Sequence, residues 1–163
     1  MENFEFFTPT KMIFGRDTHK RVGEIVKGYG FHKIMLHYGG GSIKKNGIYD
    51  DITTSLKQAG ITFIDFGGAE PNPKLGLVEQ GVKLCKEHGI ELVLAVGGGS
   101  AIDSAKEIAV GAKYDGSTWD FSTQKKTPKE ALPVGVVLTL AASGSEMSAS
   151  AVITNEKLGL KRG

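Results

Sequence analysis

Two glycine triplets, each placed directly after a run of apolar residues, constrain the fold of this chain more than any other feature. Gly39 to Gly41 follow KIMLHY (33–38), and Gly97 to Gly99 follow ELVLAV (91–96). Glycine allows the backbone to turn tightly and lets another molecule approach the main chain closely. With 23 glycines in 163 residues, the chain has about twice the average glycine content. The placement of the triplets predicts two tight turns that follow buried strands and are open to a ligand.

The composition is typical of a soluble globular protein and argues against several functional classes. Hydrophobic residues make up 40% and charged residues 23% of the chain, which is ordinary, and no apolar stretch approaches the roughly 20 residues that cross a membrane. The net charge of +2, without a basic stripe, does not favour nucleic-acid binding. Glu2 and Glu5 stand where a secretory signal carries positive charge, and the single Cys85 allows no internal disulfide. We therefore expect a cytoplasmic protein that binds neither membranes nor nucleic acid.

Apolar runs and helical patterns alternate along the chain. Four continuous runs predict buried strands: KIMLHY (33–38), ITFIDF (61–66), ELVLAV (91–96) and PVGVVLTL (133–140). Two further candidates are AVIT (151–154) and, at a sheet edge, KMIF (11–14). Helical spacing of apolar residues is found over 17–28, 44–58, 74–88 and 100–110. Continuous apolar strands that alternate with helices predict an α/β fold, a Rossmann-like, mostly parallel sheet with helices on both faces.

Two details complete this prediction. Cys85 lies on the apolar stripe of its helix, so we expect it to pack in the core rather than to react. Residues 111–132 interrupt the alternation and predict a polar excursion, which Trp119 and Phe121 would hold against the body of the protein.

The turn at Gly97 to Ser100 joins a strand directly to a helix. The first amides of a helix have no partner inside it, and the helix dipole adds positive potential there, so a pyrophosphate fits such a site. Ser100 and Asp103 allow an alternative, a variant capping box, which explains those two residues but not three successive glycines. The spacing is neither the common G-x-G-x-x-G fingerprint nor a P-loop. A different dinucleotide-binding turn is predicted.

Four segments resemble one family, the iron-containing (group III) alcohol dehydrogenases, and within it the butanol dehydrogenases and broad-specificity aldehyde reductases. They are GGGSAIDSAK (97–106), PVGVVLTLAASGSEMSASAVITNEK (133–157), FFTPTKMIFG (6–15) and EPNPK (70–74). The resemblance covers essentially the whole chain. It implies that residues 1–163 are the N-terminal dinucleotide-binding domain of an enzyme that interconverts primary alcohols, such as butanol, and aldehydes by hydride transfer. It also implies a helical C-terminal domain, absent here, that holds a divalent iron or zinc ion, and we expect a homodimer.

The resemblance also implies which residues meet the cofactor. The pyrophosphate would lie on Gly98, Gly99 and Ser100, with Asp103 close by. Asn72 would lie near the adenosine and Lys161 near the nicotinamide ribose. The full set of candidate cofactor-binding residues is Gly39, Gly40, Gly41, Ser42, Asn72, Gly97, Gly98, Gly99, Ser100, Asp103, Thr139, Leu140, Ser143, Ser145 and Lys161. For Thr139, Ser143 and Ser145 an alternative is simple turn formation, which serine and threonine favour.

The segment after KIMLHY (33–38), which is the second predicted strand when KMIF (11–14) is counted, bears on the choice of cofactor. A site that prefers NAD usually has an acid at the end of the second strand, which holds the ribose hydroxyls. Here the strand leads into Gly39 to Ser42 and then Lys44, and no carboxylate precedes Asp50. Small residues, a hydroxyl and a lysine suit a 2′-phosphate, so NADP(H) is favoured over NAD(H). The alternative is a plain turn with solvated lysines.

The metal ligands of the family are an Asp with a His four residues later and two further His. The chain has only His19, His32, His37 and His88, and no Asp-x-x-x-His. Each of these is interpreted as a surface or strand-end histidine, so we expect no metal ligand and no catalytic residue in this chain. It is expected to be a fragment that binds cofactor without turning over alcohol. The alternatives are a stand-alone nucleotide-binding regulatory module and a fragment related to glycerol dehydrogenase or dehydroquinate synthase.

Overall fold

A four-stranded parallel sheet forms the centre of the protein. The computed structural model describes Glu5 and residues 7–163; Glu2, and Phe6 of the FFTPTKMIFG motif, lie outside this part. The strands are β1 (Lys33–Tyr38), β2 (Thr62–Phe66), β3 (Leu92–Gly97) and β4 (Val134–Leu138), in the spatial order β2-β1-β3-β4. All three neighbouring pairs are parallel. The predicted α/β, Rossmann-like class is confirmed, and the carboxyl ends of all four strands lie along one edge of the sheet.

Helices cover both faces of this sheet. They are α1 (Val22–Gly28), α2 (Ser42–Lys45), α3 (Ile48–Gln58), α4 (Leu75–His88), α5 (Gly99–Gly111) and α6 (Trp119–Ser122). Alternate residues of β1 point to opposite faces, as the strand period requires. Met35 packs with residues of α4 and α5, and Ile34 packs with residues of α1 and α3. The continuous apolar strands are therefore buried from both sides.

The lone cysteine and Trp119 of the polar excursion behave as predicted, whereas Phe121 contacts Tyr114 within the excursion itself. Trp119 is buried in the core beside α5, and the Phe121 ring lies 4.8 Å from the Tyr114 ring. Cys85 is buried, with its Sγ 4.0 Å from Met35 Sδ. Burial raises the pKa of the Cys85 thiol to about 12, so it remains protonated and packs as an apolar group.

Two of the predicted helices are divided. The first begins as a 3₁₀ turn over Thr18–Arg21, and Asp17, the residue at its N-terminal cap, makes no side-chain capping bond. The helix predicted over 44–58 is broken between α2 and α3, where Gly47 adopts a positive φ of 81°. Glycine adopts that conformation without steric cost, so the chain changes direction there.

The two minor strand predictions were wrong in part or in full. Residues 11–14, the KMIF segment, form no strand in the structure. In the AVIT segment only Ile153 and Thr154 are in a strand, β5 (Ile153–Asn155), which pairs antiparallel with β6 (Leu160–Arg162). This hairpin is separate from the central sheet. It is attached near the start of α4, where the Thr154 amide donates to the Pro73 carbonyl at 2.7 Å.

Candidate cofactor-binding site

The turn between β3 and α5 has the geometry of a helix N-terminus that faces outward from the sheet edge. Gly98 is the residue before the helix, and its carbonyl accepts bonds from the amides of Ala101 and Ile102 at 3.1 and 3.2 Å. These are the first bonds of α5, so the amides of Gly98, Gly99 and Ser100 precede the helical ladder. Because α5 has 13 residues, its dipole adds positive potential at this turn.

The three glycines of this turn are required for different reasons. A Cβ on Gly97 would lie 2.9 Å from Ala101 Cβ, and a Cβ on Gly99 would overlap the Ser143 hydroxyl. A Cβ on Gly98 would have Leu140 Cβ as its nearest neighbour, at an ordinary 3.8 Å. The φ of Gly98 is −95°, which any residue adopts. Internal packing therefore explains Gly97 and Gly99 but leaves the backbone of Gly98 bare and accessible.

The triplet after β1 shows the same division. A Cβ on Gly39 would lie 3.2 Å from the Ala69 carbonyl oxygen, and Gly41 has a positive φ of 109°. Around the Cβ position of Gly40, no atom of the described part of the chain lies within 4 Å, and its φ is not in the positive region. Each triplet thus contains one glycine, Gly98 or Gly40, that neither packing nor backbone conformation requires.

Asp103 does not form the capping box allowed by the sequence. Gly98 occupies the capping position without a side-chain bond, and Ser100 lies inside α5. The two carboxylate oxygens of Asp103 instead accept bonds from the Ser145 hydroxyl at 2.5 Å and from the Val152 amide at 3.1 Å. The capping alternative is therefore wrong, because both acceptors are used by a segment more than 40 residues away.

The segment after β4 lies against the glycine turn. The Thr139 amide donates to the Gly97 carbonyl at 3.1 Å, and Ser143 lies beside Gly99. Leu140 is 67% exposed, whereas Ser145 is buried. The structure thus brings the predicted residues of the two segments, 97–100 and 139–145, together at the carboxyl edge of the sheet.

Asn72 and Lys161 are in direct contact although 89 positions separate them. Lys161 Nζ donates to Asn72 Oδ1 at 2.6 Å. Asn72 lies between β2 and α4 with a positive φ of 60°, and Lys161 lies on β6. The sequence assigned Asn72 to the adenosine side of a dinucleotide and Lys161 to the nicotinamide ribose, and in the structure the two side chains are neighbours.

A cluster beyond the first triplet includes a carboxylate that the sequence did not indicate. Lys44 Nζ lies 5.0 Å from the Tyr38 ring centroid and 4.7 Å from that of Tyr49, within cation–π range. The Tyr49 hydroxyl donates to Asp65 Oδ2, and this bond is the main cause that raises the pKa of Tyr49 to about 12. A hydrogen bond with Tyr38 raises the pKa of Lys44 above its usual value, and the Asp65 charge adds to this effect. Asp65 is far from Lys44 in sequence, and only the pairing of β1 with β2 makes them neighbours.

Two buried ionisable groups lie on elements that adjoin the triplets, one near the end of β1 and one in the second half of α5. His37 is fully buried near the end of β1, and its Nδ1–H donates to the Phe66 carbonyl at 2.8 Å. Burial lowers the pKa of His37 to about 4, against the effect of that bond. On α5, burial and then the Asp103 charge raise the pKa of Glu107 to about 7. His37 Nε2 and Glu107 Oε2 have no hydrogen-bond partner among the described residues.

The structure shows the surroundings of the four histidines and corrects the predicted position of one. His32 and His88 are exposed, and His19 pairs with Asp51 at 2.9 Å. His37 is a strand-end residue but not a surface one, because the Phe66 ring stacks on it at 5.3 Å. Among Glu5 and residues 7–163, no three or more His, Cys, Asp or Glu side chains are grouped so as to hold a metal ion. The described residues therefore do not fit the family's metal.

Concave sites elsewhere on the surface do not coincide with the glycine turn. One of about 420 Å³ lies between α4 and residues 116–118, and one of about 250 Å³ lies beside Gly68, Lys74 and Glu156. The four residues Gly97 to Ser100 are half-buried and line neither of these cavities. No described helix is long and apolar enough to cross a bilayer.

An open parallel sheet, covered by helices on both faces and bearing glycine turns at its carboxyl edge, defines an α/β protein of the Rossmann-like class. The chain belongs to the iron-containing alcohol dehydrogenase family, whose sequence profile matches residues 9–163. The resemblance inferred from the sequence is thereby confirmed.

Individual relatives refine this assignment. The chain is 54% identical over 155 residues to a probable NADH-dependent butanol dehydrogenase of Bacillus subtilis, covering 95% of this chain and 40% of the relative. It is 40% identical over 165 residues to the NADPH-dependent aldehyde reductase of Escherichia coli, covering 99% of this chain and 42% of the relative. The crystal structure of NADH-dependent butanol dehydrogenase A from Thermotoga maritima superposes with a TM-score of 0.97 at 49% identity, covering 99% of this chain and 41% of that one. The chain thus spans about 40% of the length of the relatives it matches.

Proposed function

We propose that residues 1–163 are the cofactor-binding part of a metal-dependent, NAD(P)-dependent alcohol dehydrogenase that interconverts primary alcohols, such as butanol, and aldehydes in the cytoplasm. The observation that carries the proposal is the bare backbone of Gly98 at the N-terminus of α5. Its Cβ position meets only ordinary contacts, so the fold itself does not require a glycine there. A ligand that approaches the backbone closely does require one.

The residues at the sheet edge suit the parts of a dinucleotide. The amides of Gly98, Gly99 and Ser100 would receive the pyrophosphate, because they precede the helical ladder of α5. Thr139, Leu140 and Ser143 border the same turn and would flank the cofactor on the β4 side. Asn72 and Lys161, in contact at 2.6 Å, would together meet one part of it. When bound, the nicotinamide exchanges hydride with the substrate carbon; these residues bind and orient it.

We propose further that this chain binds cofactor but does not turn over alcohol by itself. The family's metal, iron or zinc, would polarise the substrate oxygen. The described residues offer no group of ligands for it, so those ligands would come from sequence outside these 163 residues. Exposed apolar side chains, among them Phe7, Phe14 and Leu158, support association with further protein, which we propose to include a homodimer.

NADP(H) is the proposed cofactor, in preference to NAD(H). The turn from Gly39 to Gly41 is small and is followed by Ser42, a hydrogen-bond donor. Lys44 Nζ is held against the end of β1 by Tyr38 and Tyr49, where it can offset the charge of a 2′-phosphate. Asp65 opposes this preference, because its carboxylate lies in the same cluster. The names of the relatives include both NADH- and NADPH-dependent enzymes.

The direct test is calorimetric titration of the purified chain with NADPH and, separately, NADH. We expect submillimolar dissociation constants, with NADPH bound more tightly, and no aldehyde reduction when iron or zinc is added. Binding of neither cofactor at millimolar concentration would remove the proposed function. Tighter binding of NADH would overturn only the proposed preference for NADP(H). Aldehyde reduction in the presence of added metal would overturn only the proposal that the isolated chain is inactive.

A further inference from the structure

We propose that Asp103 and Lys106 are positioning residues, which hold the segment 143–152 against the glycine turn and so shape the cofactor site without touching the cofactor. This proposal rests on the proposed function. It reassigns Asp103, which the sequence placed either in a helix cap or in contact with the ligand.

The carboxylate of Asp103 is fully engaged by this segment. One oxygen accepts from the Ser145 hydroxyl at 2.5 Å, and the other accepts from the Val152 amide at 3.1 Å. Charge-assisted bonds of this kind are about twice as strong as neutral ones. Because the two bonds lie seven positions apart, they fasten both ends of the segment to the same residue of α5.

Lys106 adds two bonds from the same helix. Its Nζ donates to the Ser145 hydroxyl oxygen at 2.8 Å and to the Ser150 carbonyl at 2.9 Å. Asp103 and Lys106 lie three positions apart on α5, so they share one face, and Ser145 is the common partner of both. Burial lowers the pKa of Lys106 below its usual value, against the opposing charges of Asp103 and Glu146.

The anchored segment leads directly to the glycine turn. The Ser145 amide donates to the Ser143 hydroxyl at 3.4 Å, and that hydroxyl lies where a side chain on Gly99 would be. Most residues between 141 and 150 are exposed, so the segment has little apolar packing of its own. Segments of that kind depend on their few polar anchors for a fixed position.

The consequence for binding is indirect. Release of the segment moves Ser143 away from Gly99 and leaves α5 and its N-terminal amides in place. The loss of affinity is then the cost of ordering the segment when the cofactor binds. It is not the loss of a cofactor contact.

The test combines amide hydrogen exchange of the cofactor-free chain with cofactor titration. In Asp103→Ala and Lys106→Met we expect exchange at Val152 and nearby amides to rise at least tenfold, with β3 unchanged. Each variant should weaken NADPH binding about tenfold, and the double variant little more than that, because both act through one segment. Lys106→Arg, which keeps the charge and the donors, should remain within about threefold of the original protein. Exposed Asp115→Asn and Lys83→Met are the matched controls.

Two outcomes would overturn the proposal. Weaker binding in Asp103→Ala with unchanged exchange at 143–152 would mean that Asp103 contacts the cofactor. Faster exchange with unchanged affinity would mean that the segment has no part in binding. If the original protein binds neither NADPH nor NADH, the proposed function fails, and with it the role in binding. The exchange data then still decide whether Asp103 and Lys106 anchor the segment.

Discussion

The two glycine triplets follow neighbouring strands of one sheet, yet they lead into very different structures. Gly97 to Gly99 enter α5, with 13 residues, whereas Gly39 to Gly41 enter α2, with four. A long helix adds a dipole and a row of outward amides, which a four-residue helix lacks. The first triplet along the chain instead has a lysine, two tyrosines and a carboxylate nearby, namely Lys44, Tyr38, Tyr49 and Asp65.

The two glycine triplets are similar in sequence, but the length of the helix that follows each one and the side chains beside it give them different properties. The Gly97 turn suits the pyrophosphate, and the Gly39 turn suits the ribose end of the adenosine. Between them, Gly98 and Gly40 are the two glycines that the fold leaves unexplained. The two turns can therefore be compared by changing matched residues in each.

The largest expected effect concerns two buried ionisable groups on elements that adjoin the triplets, His37 near the end of β1 and Glu107 on α5. The pKa of His37 is lowered from 6.5 to about 4. The free energy of unfolding therefore has its full value, as far as His37 is concerned, above pH 6.5 and falls as the pH drops towards 4. The pKa of Glu107 is raised from 4.5 to about 7. The free energy of unfolding therefore has its full value, as far as Glu107 is concerned, below pH 4.5 and falls as the pH rises towards 7. Each shift corresponds to about 3 kcal/mol.

Urea unfolding between pH 4 and 8 measures both contributions. At pH 7.5 the free energy of unfolding of Glu107→Gln should exceed that of the original protein by about 2–3 kcal/mol. In this variant the free energy of unfolding should no longer fall between pH 4.5 and 7. In His37→Gln the free energy of unfolding should no longer fall as the pH drops below 6.5, whatever its absolute value. Exposed Glu24→Gln is the control for Glu107. If the free energy of unfolding depends on pH in the same way in the original protein and in all three variants, the assignment of these groups is contradicted.

The next effect compares the unexplained glycines directly. Gly98→Ala should weaken NADPH binding at least a hundredfold, or about 2.8 kcal/mol, because its methyl group would occupy the approach of the pyrophosphate. Gly40→Ala should weaken it about tenfold or less. Both positions have room for a Cβ, so both free energies of unfolding should stay within about 0.5 kcal/mol of the original.

Gly28→Ala is the matched control, because no described atom lies within 4 Å of that Cβ position either. Calorimetric titration and urea unfolding on the same samples separate binding from folding. If Gly40→Ala proves the more damaging change, the pyrophosphate lies at the first triplet and the assignment of the two turns must be exchanged.

The smallest expected effect tests whether the turn at Gly39 lies beside the ribose of the adenosine. Gly39→Asp should shift the ratio of NADPH to NADH affinity about tenfold towards NADH, or about 1.4 kcal/mol, because a carboxylate repels a 2′-phosphate and accepts from ribose hydroxyls. The Cβ at this position is crowded by the Ala69 carbonyl at 3.2 Å. Gly39→Ala therefore serves as the steric control, and it should change both affinities alike. An unchanged ratio in Gly39→Asp would show that the first triplet does not meet the 2′-position.

The sequence predicted the central sheet well, because continuous apolar runs bounded by glycine are a local signal. The strand predicted over 33–38 matches β1 in full, that over 61–66 differs from β2 by one residue at its start, and that over 91–96 differs from β3 by one residue at each end. The KMIF segment failed because a run of four residues is too short to specify a strand by its own pattern. The break at Gly47 was missed because helical spacing continues across it while the backbone φ is positive.

The candidate site was predicted as a set of residues but not as an arrangement. Asp65 escaped notice because its neighbour Lys44 lies on another element, and Asn72 and Lys161 were assigned to separate ends of a ligand. Lys161 meets Asn72 across 89 positions. No spacing rule along the chain contains that information.

The sequence by itself determined the four strands of the central sheet, the two glycine turns, the helix after the second turn and the family to which the chain belongs. These depend on local backbone preferences and apolar periodicity, which act over a few residues. Only the tertiary structure decided which glycines are packed and which are bare, and that Asp103 binds Ser145 and Val152 rather than capping its own helix. Those outcomes depend on side chains that meet only after the sheet has formed, because hydrogen bonds and steric contacts are set by distance in space.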